Sequence, residues 1–271
     1  MKPAHLRVGW LLTVTACLAH ADQPVMNEVP RWNGGYGAQV FQEFRWSSDL
    51  LRGGTAVPNP EKLRYEKRIT HLEGVYTWHK SIRVTAKLPW VQQKRRVMDA
   101  DGATRWERGT GLDDARIALP LRRYVNQPHY SGHLGVVPQV RFGGDDGGAF
   151  PISDGSTDYG FSVTFERETS GIKISADISY WWEQASEEDD EWSIDIEIGW
   201  NFHDRGAINW ETEYTEESDG SEWLGGGPTF FWNFNDVVLG RIEYKFALDE
   251  RVRGTDLAQG DALRIGLGAV F

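Results

Sequence analysis

Residues 172–182 read Ile-Lys-Ile-Ser-Ala-Asp-Ile-Ser-Tyr-Trp-Trp, and this alternation of apolar and polar side chains decides the fold. Successive side chains of a β-strand point to opposite faces of its sheet, so such a segment has one apolar face and one polar face. Ile174 and Tyr180 share the apolar face, whereas Lys173 and Asp177 share the polar face. The segment therefore predicts a strand that separates an apolar environment from water.

The same period of two recurs along the whole chain and predicts about twelve strands. An even number of strands is typical of closed bacterial outer-membrane barrels. The predicted strands lie near residues 36–46, 72–78, 82–90, 114–122, 130–142, 159–166, 172–183, 194–202, 208–214, 229–234, 238–246 and 263–271.

The connections between these strands alternate in length. Short turns are predicted at residues 79–80, 126–128, 169–171, 203–206 and 235–236, and longer polar segments join the other strands. Outer-membrane barrels have short periplasmic turns and long extracellular loops. The predicted fold class is therefore all-β: a closed antiparallel up-and-down transmembrane β-barrel of about twelve strands, with its short turns on the periplasmic side.

Aromatic residues are placed at the ends of the predicted strands, where a transmembrane barrel carries its two interfacial girdles. The alternative is that they are ordinary core aromatics of a soluble sheet. The girdle at the short turns is predicted to contain Tyr36, Trp78, Tyr124, Trp200, Phe202, Phe234 and Phe271. The girdle at the long loops is predicted to contain Trp46, Trp90, Phe142, Tyr159, Trp182, Tyr214 and Phe246.

The composition agrees with a barrel without proving one. The 271 residues include 13 Trp, 9 Tyr and 12 Phe, yet the mean hydropathy is −0.50. In a membrane barrel every second strand residue faces lipid and its neighbours face water, so the average is polar. A secreted β-sandwich gives a similar average. After residue 21 no apolar run is long enough for a transmembrane helix.

The first 21 residues are predicted to form a signal peptide. A basic start is followed by the short apolar stretch 8–18, and Ala19-His20-Ala21 fits the small-x-small pattern that signal peptidase cleaves. Residues 22–33 are then a periplasmic segment, and residues 34–271 form the barrel. The predicted location is the bacterial outer membrane.

A second cleavage site is an alternative. Val14-Thr15-Ala16-Cys17 resembles a lipobox, and cleavage there would leave Cys17 lipidated. Cys17 is the single cysteine of the chain. If the signal peptide is removed after residue 21, the mature protein has no disulfide and no thiolate metal site.

Two segments resemble a known family. Residues 109–119, Gly-Thr-Gly-Leu-Asp-Asp-Ala-Arg-Ile-Ala-Leu, are similar to a strand opening in the outer-membrane proteins named for the meta pathway of phenol degradation, here called MetA-like. Asp113 stands where that family more often has glycine. Residues 263–271 also resemble the family's last strand. The resemblance implies an outer-membrane channel, in some members for aromatic compounds. The C-terminal Phe271 is the kind of residue that barrel-insertion machinery recognises.

Charge is divided between the two halves of the chain. Residues 22–142 contain 19 Lys and Arg against 12 Asp and Glu, whereas residues 143–271 contain 8 against 28. Sequential strands are neighbours in such a barrel, so the lumen is predicted to have two walls of opposite charge and a transverse field. The basic wall comprises Lys87, Arg116, Arg122 and Arg141, and the acidic wall comprises Asp177, Asp195, Glu197, Glu211 and Glu243.

A channel for small polar or amphipathic solutes is the leading functional hypothesis. Aromatic solutes are included because of the family resemblance. The alternative is a plugged structural barrel that holds a periplasmic or surface partner, because twelve strands lie between the small filled barrels and the open porins. The series Arg241, Glu243 and Lys245 on one strand face suggests internal ion pairing in either case.

The segment 187–191, with Glu216, Glu217 and Asp219, predicts an acidic outer mouth. It would collect cations or bridge to lipopolysaccharide through divalent ions, or it is simply a solvated loop. Its spacing fits no ordered calcium loop. The expected partners are therefore outer-membrane lipid and lipopolysaccharide, the insertion machinery and a small solute.

An outer-membrane lipid hydrolase is the third alternative. His129 and Ser131 have the His-x-Ser spacing of outer-membrane phospholipase A, but both have inward parity near a periplasmic turn, and the strand offers no asparagine to orient the histidine. His129 and His133 are about 13 Å apart on one strand, too far to share a metal. The sequence therefore predicts no enzyme, metal site, cofactor or nucleic-acid partner.

Overall fold

A computed structural model describes residues 34–98, 101–127, 130–144, 152–153, 155–184, 190–217 and 220–271. Within these ranges no helix is long and apolar enough to cross a membrane. The predicted signal peptide, Cys17 and the periplasmic segment 22–33 lie outside the described residues. The strands are β1 (Gly35–Ser47), β2 (Leu50–Gly53), β3 (Thr55–Val57), β4 (Arg64–His79), β5 (Ile82–Met98), β6 (Thr104–Leu112), β7 (Ala115–Ala118), β8 (Leu121–Gln127), β9 (Tyr130–Phe142), β10 (Thr157–Thr169), β11 (Ile172–Trp182), β12 (Glu191–His203), β13 (Gly206–Glu217), β14 (Glu222–Asn233), β15 (Val238–Leu257) and β16 (Asp261–Val270).

The strands close into one antiparallel barrel. Each strand from β9 to β16 pairs with the next strand along the chain, including β14 with β15. β1 pairs with both β16 and β4, which joins the first strand to the last. With β6, β7 and β8 counted as one interrupted strand and β2 and β3 left outside, the wall has twelve strands, which confirms the predicted fold class.

The interrupted strand β6–β8 contains the segment that resembles the MetA-like family. Trp90 of β5 pairs with Leu112, whereas Lys87 pairs with Arg116, so one extra residue is inserted near Asp113. Such a β-bulge bends a strand and changes which residues face inward. Pro120 makes a second break because proline has no N–H to donate to a neighbouring strand.

The predicted short turns near residues 79–80, 169–171, 203–206 and 235–236 lie where the sequence predicts them, whereas the turn at 126–128 falls partly outside the described residues. β10 and β11, for example, are joined through Ser170 and Gly171, whose φ angles are 53° and 78°. Two successive residues with positive φ are typical of the tight turn that suits the twist of a β-hairpin.

The other end of the barrel differs in part from the sequence prediction. The polar segments expected as long loops before β14 and before β16 belong largely to the strands themselves, and β15 alone has 20 residues. The outer part of β15 pairs with the hairpin β2–β3, from Val252 opposite Gly53 to Leu257 opposite Leu50. This outer hairpin and the end of β15 form a small sheet, called the cap below.

The barrel is apolar outside and polar inside. Ile178 and Ile198 on its outer face are 43% and 53% exposed, whereas Asp177 and Glu197 beside them are 4% and 2% exposed. From Tyr36 to Trp46 the strand rises about 25 Å at the usual strand spacing and tilt, which matches the apolar band of an outer-membrane barrel. The architecture places this protein in the bacterial outer membrane.

Most of the aromatics assigned to the girdles are outward-facing and exposed. Those with more than a third of their surface exposed are Tyr36, Trp46, Trp78, Trp90, Phe142, Tyr159, Trp182, Trp200, Phe202, Phe234 and Phe271. Tyr214 and Phe246 are half-buried. Tyr124 is a correction: it pairs with the buried His133 and its ring centroid lies 5.4 Å from that imidazole. It shares the parity of the buried Arg122, so it faces inward.

Candidate functional site in the barrel lumen

The lumen is the candidate site because it collects almost all of the buried charge in the described chain. Alternation directs every second residue of each strand inward, and a sheet closed on itself brings these residues together from strands far apart in sequence. Glu43, Arg83, Asp195, Glu243 and Lys245 are each at most 2% exposed. Charges buried to this degree require partners.

Lys245 lies at the centre of one ion-pair cluster. Its Nζ is 2.8 Å from Glu211 Oε1, 2.5 Å from Glu213 Oε2 and 3.6 Å from Glu243 Oε1. Arg241, two residues away on β15, forms an ion pair with Glu243 and approaches Glu211. Two cations from one strand thus hold three carboxylates from β13 and β15.

Glycine makes room for this cluster. A Cβ at Gly227 on β14 would lie 1.8 Å from the backbone oxygen of Tyr244 and 3.1 Å from the Cα of Lys245. Any residue other than glycine at position 227 would therefore clash with β15. Because Gly227 has no side chain, β14 leaves the space beside Lys245 free at this position.

A second ion-pair cluster lies where the first strand, β1, meets the last strand, β16. Arg264 on β16 donates from Nε to Glu43 Oε2 at 2.9 Å and from Nη1 to Glu243 Oε1 at 2.9 Å. Glu43 also contacts Arg45 at 3.0 Å and His71 at 3.2 Å. Arg264 thereby links the Lys245 cluster to the opposite end of the sequence.

The wall formed by β5, β7, β8 and β9 carries cations, and two of them lie against an inward-facing tryptophan of β11. Arg116 and Arg141 lie over the ring of Trp181, with centroid distances of 4.5 and 4.7 Å. Arg141 also contacts Asp158 at 3.0 Å and Glu183 at 2.5 Å. Trp181 is only 2% exposed, so these cation–π contacts are shielded from water.

The predicted basic and acidic residues all lie on inward-facing positions. Arg116, Arg122, Asp177, Asp195, Glu197, Glu211 and Glu243 are buried, and Lys87 and Arg141 are half-buried. The picture of one uniformly acidic wall is wrong, however. Lys245 and Arg241 share that wall, and Lys173 lies 2.6 Å from Glu197. Buried carboxylates in such number need local cations, so the charges are mixed on the acidic side.

A cavity of about 490 Å³ occupies the outer half of the lumen. Its lining comes from several strands around the wall, including Lys87 on β5, Arg141 on β9, Glu213 on β13 and Arg264 on β16. Residues of both walls therefore line this space. Its charged lining comprises seven Lys and Arg and five Asp and Glu, together with His71.

The cap covers the outer side of this cavity. Asp256, Leu257, Ala258 and Gln259 contribute to the lining. The backbone N–H of Ala258 donates to the backbone oxygen of Asp49 at 2.9 Å, and Arg45 Nη1 donates to Gln259 Oε1 at 2.7 Å. Arg95 on β5 forms an ion pair with Asp256. Polar contacts of this kind connect the cap to the rim.

One group of carboxylates could hold an oxygen-preferring cation. Ligand atoms of Asp195, Glu211 and Glu213 lie within 4.8 Å of one another, and all three residues are buried. Within the described ranges, no hydrogen-bond donor reaches either carboxylate oxygen of Asp195. Lys245 supplies the positive charge next to the two glutamates. This group of carboxylates has no local signature in the sequence, since only the register between β12 and β13 brings the three residues together.

The hydrolase alternative and the acidic loop depend partly on other regions. His129 and the segment 187–189, like Asp219, lie outside the described residues. Ser131, the other residue of the His-x-Ser pair, is half-buried on β9.

Sequence reasoning missed several lumen residues that the structure brings together. Glu43, Arg83 and Arg264 were not assigned to a wall, although their parity is the inward one. Trp181 follows Asp177 and Ser179 on the inward face of β11, so strict parity would have identified it. The inward position of Trp181 was less apparent because the adjacent tryptophan, Trp182, belongs to the predicted girdle.

Comparison with known proteins gives the fold and no closer relationship. No family model matches this chain, and no curated protein matches it. The MetA-like resemblance therefore stays a prediction. A solved outer-membrane channel from Pseudomonas putida F1 has a TM-score of 0.72 with 12% identity, covering 89% of this chain and 96% of that chain.

Two solved porins have the same architecture. The NanC porin gives a TM-score of 0.54 with 11% identity and covers 85% of this chain and 98% of its own. The KdgM porin gives 0.52 with 9% identity and covers 87% of this chain and 99% of its own. Identities this low show the fold alone. This chain thus has the β-barrel fold that outer-membrane channels use.

Proposed function

We propose that the protein is an outer-membrane channel for small polar or amphipathic solutes, with the lumen as its pathway. The observation that carries the proposal is the cavity of about 490 Å³ between the two walls. Small eight-strand barrels fill their interior with side chains, whereas a twelve-strand wall encloses more space. A solute entering past the cap would reach this cavity before it meets the Lys245 cluster.

The cluster around Lys245 and the cluster around Arg264 and Glu43 then form the narrow part of the pathway. Side chains from β1, β13, β15 and β16 meet there, and Glu243 and Lys245 have 0% and 1% of their surface exposed. Passage requires that these side chains exchange partners with the solute or with water. Polar pore linings favour such exchange because a charged or hydrogen-bonding solute replaces its hydration with wall contacts.

The lining of the cavity favours anions at the outer side. Its seven Lys and Arg exceed its five Asp and Glu. Low-dielectric walls around an excess of one charge raise the local concentration of the opposite ion. The proposed solute preference is therefore for small anionic or zwitterionic molecules at the entrance, followed by the more acidic region near β12 and β13.

A plugged barrel is the second candidate, and one observation favours it. Buried ion pairs across the lumen, such as Lys245 with Glu211 and Arg264 with Glu43, leave little solvent contact in the middle of the barrel. If these pairs do not open, the barrel would serve as a rigid scaffold for a periplasmic or surface partner.

Two further proposals concern assembly and kinship. The C-terminal Phe271 stacks on Tyr36 with a centroid distance of 5.3 Å, and the two backbones exchange hydrogen bonds of 3.0 and 2.7 Å. Recognition of the last strand by barrel-insertion machinery would thus be followed directly by closure onto the first strand. The sequence of residues 109–119 supports kinship with the MetA-like channels.

Single-channel recording distinguishes the channel from the plugged barrel. The protein is refolded, its heat-modifiable migration is checked, and it is inserted into a planar bilayer. The channel proposal expects discrete current steps. A correctly folded barrel that gives no steps over a wide voltage range would contradict it and favour the scaffold.

A further inference from the structure

A group of cations faces outward on three neighbouring strands. Arg64 and Arg68 on β4 and Arg108 on β6 are exposed, and Lys94 on β5 lies between them. Lys94 pairs with Glu66 on one side and with Arg108 on the other. These four cations are called the rim patch below. They share the even parity of the lipid-facing Leu72, so they lie on the outer surface of the barrel.

The rim patch lies just outside the apolar band. Arg68 pairs with Gln92, two residues beyond the girdle tryptophan Trp90, and Lys94 is two residues further. At the usual strand rise and tilt, the cations lie about 5–10 Å beyond the girdle. This is the level of lipid headgroups in the outer leaflet.

The rim patch carries more positive charge than the neighbouring carboxylate of Glu66 can neutralise. Glu66 is 2.7 Å from Lys94 and 3.2 Å from Arg64. Within the described ranges, no carboxylate forms an ion pair with Arg68 or Arg108. Arg68 lies over the ring of Phe44 at 5.1 Å, which orients its guanidinium without neutralising it.

An aromatic ring also contacts two of the other cations. Arg64 and Lys94 lie over the Trp106 ring, with centroid distances of 4.9 and 5.5 Å. The patch borders a groove of about 1040 Å³, whose lining includes Phe44 and Trp46. Cations and apolar rings on one groove suit a ligand with anionic groups and attached hydrocarbon.

We infer that the rim patch binds the phosphate groups of lipid A, the membrane anchor of lipopolysaccharide. Guanidinium groups bind phosphate oxygens in a bidentate manner, and a lysine adds a point charge. Lipid A presents its phosphates on a glucosamine disaccharide directly above its acyl chains, which is the order of cations and rings in this groove. This inference is independent of the channel proposal, because it concerns the outer face and not the lumen.

Binding of purified lipid A to the refolded barrel in a non-ionic detergent tests the inference, with EDTA present to exclude divalent bridging. The patch variant carries Arg64→Gln, Arg68→Gln and Arg108→Gln. The matched control carries Arg52→Gln, Arg123→Gln and Arg205→Gln, three exposed arginines outside the patch. Heat-modifiable migration shows whether each variant is folded.

We expect lipid A to bind wild type and control equally and the patch variant at least about tenfold more weakly, since each charge-assisted hydrogen bond contributes substantially. Chemically dephosphorylated lipid A should bind wild type as weakly as lipid A binds the patch variant. Equal binding of both lipids to wild type, or unchanged binding by the patch variant, would overturn the inference. So would equal binding of phosphatidylglycerol, which would indicate a nonspecific anionic-lipid surface.

Discussion

The wall from β1 to β9 and the wall from β10 to β16 have the same alternating backbone pattern but solve the burial of charge differently. In the first wall, Arg116 and Arg141 lie over the aromatic ring of Trp181, which comes from the second wall. In the second wall, carboxylates such as Glu211 and Glu213 share the single ammonium of Lys245. The first arrangement distributes positive charge along the cavity, whereas the second concentrates opposite charges in one compact cluster.

This difference shows where the barrel should be rigid and where it should interact with solutes. A compact cluster of buried ion pairs depends on every member, because removal of one charge leaves its desolvated neighbours with fewer partners. Half-buried lysines of the cavity lining such as Lys67 and Lys87 retain water and can exchange it for a solute. Stability is therefore expected to depend mainly on the second wall, and ion preference mainly on the first.

The largest expected effect is from Lys245→Met. The substitution leaves Glu211, Glu213 and Glu243 without their shared ammonium and should lower the free energy of unfolding by about 3–5 kcal/mol. Urea unfolding in detergent micelles measures this. Lys87→Met, a half-buried lysine of the other wall, is the matched control and should cost clearly less. Equal losses for the two variants would remove the proposed distinction between the walls.

The second largest loss of stability is expected at the closure between β1 and β16. Glu43→Gln removes the carboxylate that Arg264, Arg45 and His71 contact and should cost about 1–3 kcal/mol. The same unfolding assay measures it. Gln42→Ala, on the neighbouring outward position, is the control, and a larger loss there would show that the ion pairs at the seam contribute little.

The charges that line the cavity should control ion preference, and the energy changes should be smaller than those of the two substitutions above. Removal of one charge about 10 Å from a permeating ion changes its energy by about 0.4 kcal/mol in water, which is roughly a twofold change in permeability ratio. Lys67→Gln and Lys87→Gln should therefore each shift the reversal potential in a salt gradient toward cations. Lys80→Gln, near the periplasmic turn, should give a smaller shift. A shift toward anions would contradict the assignment of the cavity.

The smallest effect is expected at the cap. Asp256→Asn breaks the ion pair with Arg95, whose partners are 46% and 32% exposed, so the loss of stability should be no more than about 1 kcal/mol. The cap should nevertheless move more freely, and single-channel records should contain more frequent brief closures. Records identical to wild type would show that this ion pair does not hold the cap over the cavity.

The sequence predicts the barrel well because alternation is a local property. The strand count, the short turns and nearly all of the girdle follow from the parity of residues such as Ile178 and Trp90. Tyr124 is the exception, since its aromatic character was given more weight than its inward parity. The outer ends of β15 and β5 were also missed, because polar residues on strands beyond the membrane resemble a loop.

The arrangement inside the lumen could be predicted only in part. Parity assigns Glu211 and Glu243 to the interior, but their common contact with Lys245 depends on the register of β13, β14 and β15. The contact of Arg264 with Glu43 depends on closure between β1 and β16, which are 221 residues apart at these positions. Pairings set by barrel closure have no local signature in the sequence.

The most direct test of the central claim is whether current flows through the cavity. In a Cys17→Ser background, Lys87→Cys places a thiol in the cavity lining and Leu88→Cys places one on the lipid-facing side. A bulky, charged methanethiosulfonate reagent is then added during single-channel recording. The account predicts a lasting fall in current for Lys87→Cys and none for Leu88→Cys. Unchanged current in both variants would contradict the assignment of the lumen as the pathway.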